Sequence, residues 1–322
     1  MNISTITIVI PTFNRVELLA KALESLLKLN TGPQFTYEIV VIDNASTDGT
    51  PALLAQYKNE VRSFREERAG ESFARNRGIQ ESNSDWLVFL DDDQTVDPDW
   101  LAQLWRTAVQ RTVQIVACSV YLDLNPTELS RLGPAARNLL GESTASQAYQ
   151  FGGNFLPACC GVLVHRTVFD RIGLFDEGLT VASDTNFFLR ARQAGYAMWF
   201  EPKAVSYHYV PAFRMERSNL LSRALWQGAY FAILFGGGSR LSTGWIAMSR
   251  LLKSALLNLP GCLAADPKSR MDHQIKLWRA WGTVRGAVTV VFAGQSHGAF
   301  VDYLKSQART RQAPSLQRSQ AC

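Results

Sequence analysis

Three short apolar runs, each stopping on polar or acidic residues, restrict the fold of this chain more than any other feature. They are "ITIVIPTFN" from Ile6, "YEIVVIDN" from Tyr37 and "DWLVFLDDD" from Asp85. Runs of this length, rich in Val and Ile, predict strands buried on both faces. Between them the period changes. Val16, Leu18, Leu19, Ala22, Leu23, Leu26 and Leu27 recur at helical spacing. "PALLAQYKN" starts a helix with Pro51 near its first turn, and "ESFARNRGIQES" reads as a third helix after a weaker strand near Val61–Arg65. Short strand–helix units predict an α/β fold with parallel strands and right-handed crossovers. In such sheets ligands sit beyond the carboxyl ends of the strands. Pro11-Thr12-Phe13-Asn14, Asp43-Asn44 and Asp91-Asp92-Asp93 are therefore expected to converge on one edge.

The triplet needs a reason, because adjacent carboxylates repel one another. A shared cation supplies one. Hard divalent ions such as Mg²⁺ or Mn²⁺ prefer oxygen ligands, and a site with few carboxylates leaves positions open for phosphates. In an extended D-x-D, Asp91 and Asp93 would present their carboxylates to one side. The plainer reading is an Asp-rich turn before a helix capped by Asp97 ahead of Pro98. The second acidic strand end, at Asp43, favours the metal.

Further along, "TVQIVACSVYL" reads as a strand and the stretch from Asn125 to Asn154 as loop, with Gly133-Pro134, Gly141 and Gly152-Gly153 as breakers. "ACCGVLVHRTVFDRIGLFDEGL" gives a strand, a short helix and a turn; "SDTNFFLRARQAGY" is a helix; "AMWFEP" and "AVSYHYV" are two short strands. After about Arg214 the pattern turns helical. In "LSTGWIAMSRLLKSALLNLP", Leu241, Trp245, Met248, Leu252, Leu256 and Leu259 lie near one face, with Arg250 and Lys253 away from it. The expected organisation is a domain over 1–220, its halves about 1–110 and 111–220, followed by a helical region over 221–322 that ends in a basic, mobile tail.

Composition sets the class. Apolar residues make up 47% of 322 and charged residues 19%, as in globular proteins. Five cysteines without a CxxC pair argue against a disulfide framework or a zinc site, and fit a reducing compartment. The apolar stretch at the N-terminus is short for a signal peptide, and no apolar run of about 18 residues predicts a membrane span. A cytoplasmic protein is expected. The basic tail is read as solvated and no nucleic-acid partner is expected. The Trp- and Leu-bearing helices also allow a peripheral contact with the membrane surface.

Five segments together resemble the family 2 glycosyltransferases of GT-A fold. They are "TIVIPTFNR" (7–15), "EIVVIDNASTDGT" (38–50), "GESFARNRGI" (70–79), "DWLVFLDDDQTVDPDWL" (85–101) and "GLFDEGLTVASDTNFFLRARQAG" (173–195). The resemblance covers roughly residues 5–215. It implies a Rossmann-like, mostly parallel central sheet flanked by helices. It also implies an inverting enzyme that moves a sugar from a nucleotide donor, most often UDP-linked, to a hydroxyl of a cell-envelope glycan, lipid-linked sugar or protein. By the resemblance, Pro11, Thr12 and Phe13 pack around the nucleotide and Asp43 accepts from the base, although Asp43 also suits a turn. Gly70 permits close approach to the base and ribose, with Arg75 or Asn76 as polar contacts. Asp92 and Asp93 serve ribose and metal, and Asp91 completes the triplet. By the same resemblance Asp184 is the general base; read as a bare residue it also suits a helix N-cap. The family usually has Glu-Asp where this chain has Ser183-Asp184, which bears on acceptor positioning. His208 is a candidate metal ligand or a core histidine, and Arg214 a diphosphate contact or a solvated helix start. His165, His273 and His297 carry no functional reading. The alternatives are a nucleotidyltransferase, which lacks its basic glycine-rich loop here, and a catalytically silent nucleotide-sugar binder. A dinucleotide oxidoreductase is disfavoured because "PTFNR" stands where GxGxxG would be.

Overall fold

The computed structural model describes residues 3–153, 155–179, 182–235 and 240–292. The elements in chain order are β1 (Ser4–Thr12), α1 (Val16–Leu26), β2 (Phe35–Asp43), α2 (Thr50–Gln56), β3 (Val61–Arg65), α3 (Glu71–Glu81), β4 (Trp86–Phe89), β5 (Gln94–Val96) and α4 (Trp100–Arg111). Then come β6 (Ile115–Asp123), α5 (Pro126–Arg131), α6 (Pro134–Leu139), β7 (Tyr149–Gln150), β8 (Val162–His165), α7 (Arg166–Ile172), α8 (Ser183–Gln193) and β9 (Met198–Tyr209). Three long helices complete the order: α9 (Arg217–Phe235), α10 (Arg240–Asn258) and α11 (Pro267–Phe292). The chain divides into two compact units. The first holds 1–125, 141–177 and 182–210, and the second holds 126–140, 178–181 and 211–322.

The first unit is built on one nine-stranded sheet in the order β3-β2-β1-β4-β8-β6-β9-β5, with β7 also on β9. Strands β3, β2, β1 and β4 are mutually parallel. Strand β8 runs antiparallel to both neighbours. The central strands are apolar throughout, yet they sort their side chains by the period of two. Ile6, Ile8 and Ile10 of β1 join the core on the side of Leu19, Leu23 and Leu26 from α1. Val9 joins the core on the other side with Phe89, Phe187 and Phe188. Each such side chain contributes about 1.5–3 kcal/mol on burial. Gly78 of α3 lets that helix lie close to β1: a Cβ there would stand 2.3 Å from Val9 Cγ1.

Two expectations change. "AMWFEP" and "AVSYHYV" form one strand, β9, which stays paired with β6 by skipping three residues: Cys118 pairs with Glu201, and Ser119 with Val205. The interrupted apolar pattern reflects that bulge and not a turn. Within the stretch read as loop, Pro126 and Pro134 each open a six-residue helix. Proline suits the first helical turn, and both helices belong to the second unit.

In that unit α9 and α11 pack backbone to backbone. A Cβ at Gly228 would meet Arg279 O at 1.9 Å, one at Gly282 would meet Leu225 O at 1.9 Å, and one at Gly286 would meet Ala229 O at 2.5 Å. Acids serve helix ends here. Asp272 accepts from Ala135 N and Ala136 N at the start of α6, each at 3.1 Å. Asp266 caps α11 by accepting from Ser269 N at 2.8 Å.

Candidate active site

Parallel pairing aligns the strand ends. Thr12 is in register with Asp43, and Asp43 with Arg65. β1 lies between β2 and β4, so the chain changes direction across the sheet at β1, and the crevice beyond that switch point is where such folds hold ligands. Thr12 Oγ1 donates to Asp92 Oδ2 across that crevice at 2.8 Å. Arg15, at the head of α1, ties the next two acids together: its Nη1 is 2.7 Å from Asp92 Oδ1 and 3.0 Å from Asp93 Oδ2. Arg15 is only partly exposed, while Asp92 and Asp93 are buried. Burial raises the pKa of Asp92, with the Arg15 charge and the Thr12 and Arg15 hydrogen bonds opposing it.

The triplet does not run extended. Gln94 N donates to Asp91 O at 3.2 Å, closing a turn. Neighbours Asp92 and Asp93 therefore share a partner, whereas Asp91 points to Arg75, whose Nη2 is 3.3 Å away. Burial raises the Asp91 pKa; Arg75 opposes this, and Glu71, Asp93 and Asp92 add to it. Past the turn, β5 pairs antiparallel with β9, with Gln94 opposite His208. Tyr209 N donates to Asp93 O at 2.9 Å, and His208 Nε2 stands 3.6 Å from Asp93 Oδ1. The topology thus delivers His208 to the triplet from more than 100 residues downstream.

The loops after β1 and β2 are stitched together. Asn14, in the left-handed region at φ 52°, donates its N–H to Ser46 Oγ and accepts from Thr47 N at 2.7 Å. Phe13 projects outward, 55% exposed, and Pro11 is half-buried. Asp43 is buried with both oxygens engaged: Oδ1 accepts from Ser46 N at 2.9 Å and Oδ2 faces Arg65 Nη1 at 3.0 Å. Asn44 clamps the loop before α3, donating to Glu66 O and Arg68 O and accepting from Gly70 N at 2.8 Å. Gly70 has φ 142°, a conformation closed to other residues at low cost.

The structure separates Arg75 from Asn76. Asn76 braces the turn after α7, exchanging hydrogen bonds with Phe175 N and O at 2.9 Å and donating to Glu177 Oε1. Arg75 is buried between Glu71 and Asp91. Burial works against its charge; Cys159, Glu71, Asp91 and Asp184 outweigh it and raise its pKa. Asp184 thus shares an electrostatic neighbourhood with Asp91. It lies in the first turn of α8, after Ala182 in the left-handed region, and its Oδ1 accepts from Thr185 N at 2.6 Å. Ser183 beside it is buried. Arg214 lies in the second unit, in a 3-10 turn over Ala212–Met215. Sequence reasoning missed Arg15, although it ends the "PTFNR" segment; its distance from the triplet in sequence gave no reason to pair them.

Among the described residues no group of three or more His, Cys, Asp and Glu could hold a metal ion. Two donors nonetheless face each other, Asp93 Oδ1 and His208 Nε2. A carboxylate and an imidazole are donor types that a divalent ion can take.

A parallel half-sheet with an acid triplet at its switch point, joined to a second half by an antiparallel strand, defines a GT-A fold. The chain belongs to the family described as glycosyl transferase family 2, whose profile matches residues 7–173. Glycosyltransferase AglE of Haloferax volcanii is 27% identical over 207 residues, 63% of this chain and 66% of that protein. The succinoglycan biosynthesis protein ExoM of Rhizobium meliloti is 29% identical over 227 residues, 67% of this chain and 71% of that protein. The chain thus spans about two thirds of the length of such relatives. In fold it is similar to the mannosyltransferase PcManGT from Pyrobaculum calidifontis, solved with GDP-Man and Mn²⁺, with a TM-score of 0.57 and 19% identity over 99% of this chain and 83% of that one. It is also similar to residues 1–349 of S. aureus TarS in complex with UDP, with a TM-score of 0.51 and 15% identity over 91% of this chain and 93% of that one.

Proposed function

We propose that the protein transfers a sugar, with inversion, from a nucleoside-diphosphate donor to a hydroxyl of a cell-envelope glycan or lipid-linked acceptor. The observation that carries this reading is the chain of contacts Thr12–Asp92–Arg15–Asp93–His208 at the sheet's switch point. Relatives named for glycosyl transfer and polysaccharide synthesis, and a similar fold solved with GDP-Man and Mn²⁺, support it.

In this reading Pro11, Thr12 and Phe13 border the nucleotide, which is UDP by first expectation. Asp43 and Arg65 together meet the base, since the Asp43 oxygens already have protein partners. Gly70 leaves room beside the ribose, Asp92 accepts from its hydroxyls, and Arg75 holds Asp91 in place. Asp93 and His208 would hold Mn²⁺ or Mg²⁺. Such an ion, when bound, neutralises charge on the departing diphosphate. Arg15 balances Asp92 and Asp93 before the donor arrives and is placed to turn toward the phosphates. Asp184, its Oδ1 fixed by Thr185, takes the acceptor's proton at Oδ2.

A silent nucleotide-sugar binder is the second reading. Ser183 in place of Glu and the Thr185 contacts on Asp184 favour it. The test is donor turnover with and without Mn²⁺ across UDP- and GDP-sugars. Metal-dependent sugar release or transfer supports the enzyme; tight donor binding with no turnover under any condition overturns it.

A further inference from the structure

The second unit wears its apolar side outward. On α10 the residues Trp245, Met248, Leu252 and Leu256 recur at helical spacing, and they are 76%, 47%, 59% and 80% exposed; Leu259, just past the helix end, is 58% exposed. Leu263, in the 3-10 turn just beyond, is 88% exposed. At 1.5 Å per residue the helical stripe from Trp245 to Leu256 runs about 17 Å. The opposite side of the helix packs on α11 through small or polar residues: Ala247 meets Ala287, and Ser254 Oγ donates to Lys276 O. A helix serving only the core would bury its Trp and Leu stripe and expose the rest. A continuous exposed apolar surface of this extent marks a place of contact.

Charge identifies what it contacts. From Arg240 to Phe292 the chain carries eight Lys and Arg against two acids. Both acids, Asp266 and Asp272, are engaged with backbone N–H groups at helix starts. Exposed Lys253, Arg270 and Lys276 have no acidic counterpart among the described residues of this segment. A second copy of the chain seated on the stripe would set this basic surface against itself, as a two-fold interface does. An anionic surface has no such conflict. Exposed Trp278 and Trp281 on α11 suit the boundary between lipid headgroups and water. Among the described residues no helix is long and apolar enough to cross a membrane.

We infer that the outward face of α10, with the adjoining 3-10 turn, is a docking surface for an anionic membrane, on which the helix lies flat. Leu and Trp side chains enter the headgroup region while Lys and Arg meet the lipid phosphates. This inference does not depend on the glycosyl-transfer reading, so either can fail alone.

The experiment is co-sedimentation of the full chain with vesicles of phosphatidylcholine alone and of an equal mixture of phosphatidylcholine and phosphatidylglycerol. Binding to the mixed vesicles should exceed binding to phosphatidylcholine by about tenfold or more and weaken as salt is raised. The doubly substituted L252E/L256E protein should keep the wild-type circular dichroism and melting temperature and lose about tenfold or more of that binding. Wild-type protein that stays in solution with both vesicles overturns the proposal, as does equal binding by the folded double variant. A dimer in solution that the double variant dissolves, without vesicle binding, overturns it in favour of a second copy.

Discussion

The two units spend their side chains in opposite ways. The first packs an apolar core against both faces of the sheet, and it gathers acids at the strand ends, each answered by an arginine: Asp43 by Arg65, Asp91 by Arg75, Asp92 and Asp93 by Arg15. The second packs α9 on α11 through glycines and sends Trp and Leu from α10 to the outside. A sheet with buried acids is organised for a small charged ligand, because burying carboxylates is costly unless something positive balances them. A helical unit with outward apolar side chains is organised for a surface.

The sharpest way to break this comparison is to remove an acid. Asp93→Ala should reduce transfer by about a hundredfold or more and remove the extra thermal stabilisation that Mn²⁺ gives with the donor; if that stabilisation persists, Asp93 is not at the metal. Asp184→Asn should lower the transfer rate by about 10²–10⁴-fold while donor affinity, measured by titration calorimetry, changes little. Transfer at the wild-type rate would take the base role from Asp184.

The second unit should answer to backbone spacing instead. Gly282→Leu drives a side chain into Leu225 O, so denaturant unfolding should show a loss of about 3 kcal/mol. A smaller effect separates the acids from ordinary surface charges. Burial raises the Asp91 pKa, so its protonated form stabilises the fold at acid pH, and that contribution fades as pH rises through the raised value. Asp91→Asn lacks this titration, and its melting temperature should fall less than that of the wild type between about pH 5 and about pH 8. Smallest of all, Leu256→Ser sits where the side chain is 80% exposed, and stability should stay within about 0.5 kcal/mol of wild type. A larger loss would mean that the α10 stripe is part of the core.

The contrast also explains which features were legible in the sequence. Strands β1, β2 and β4 announce themselves because burial on both faces demands unbroken apolar runs, and parallel pairing then fixes where Thr12, Asp43 and the triplet meet. The α10 stripe was visible as periodicity, but periodicity reports that one face is apolar and not which way it points. The rest depends on pairings distant in sequence. Nothing local to Gln94–Val96 reveals that these three residues cross to β9, so the closeness of Asp93 and His208 needed the fold. The turn at the triplet likewise replaced the expected pairing of Asp91 with Asp93 by that of Asp92 with Asp93. Pro126 and Pro134 read as breakers because proline stops a helix from within, yet it starts one equally well.

The skipped residues between Glu201 and Val205 bear on how the chain can change over time. Side chains alternate across a strand, so one residue gained or lost between Val205 and His208 would swing the imidazole of His208 to the opposite side of the sheet, away from Asp93. Within the bulge itself the ladder is already interrupted, and length changes there can be absorbed without re-registering Val205–Tyr209. Relatives that differ in length around this strand are therefore expected to differ at the bulge, keeping the spacing from its end to the histidine constant.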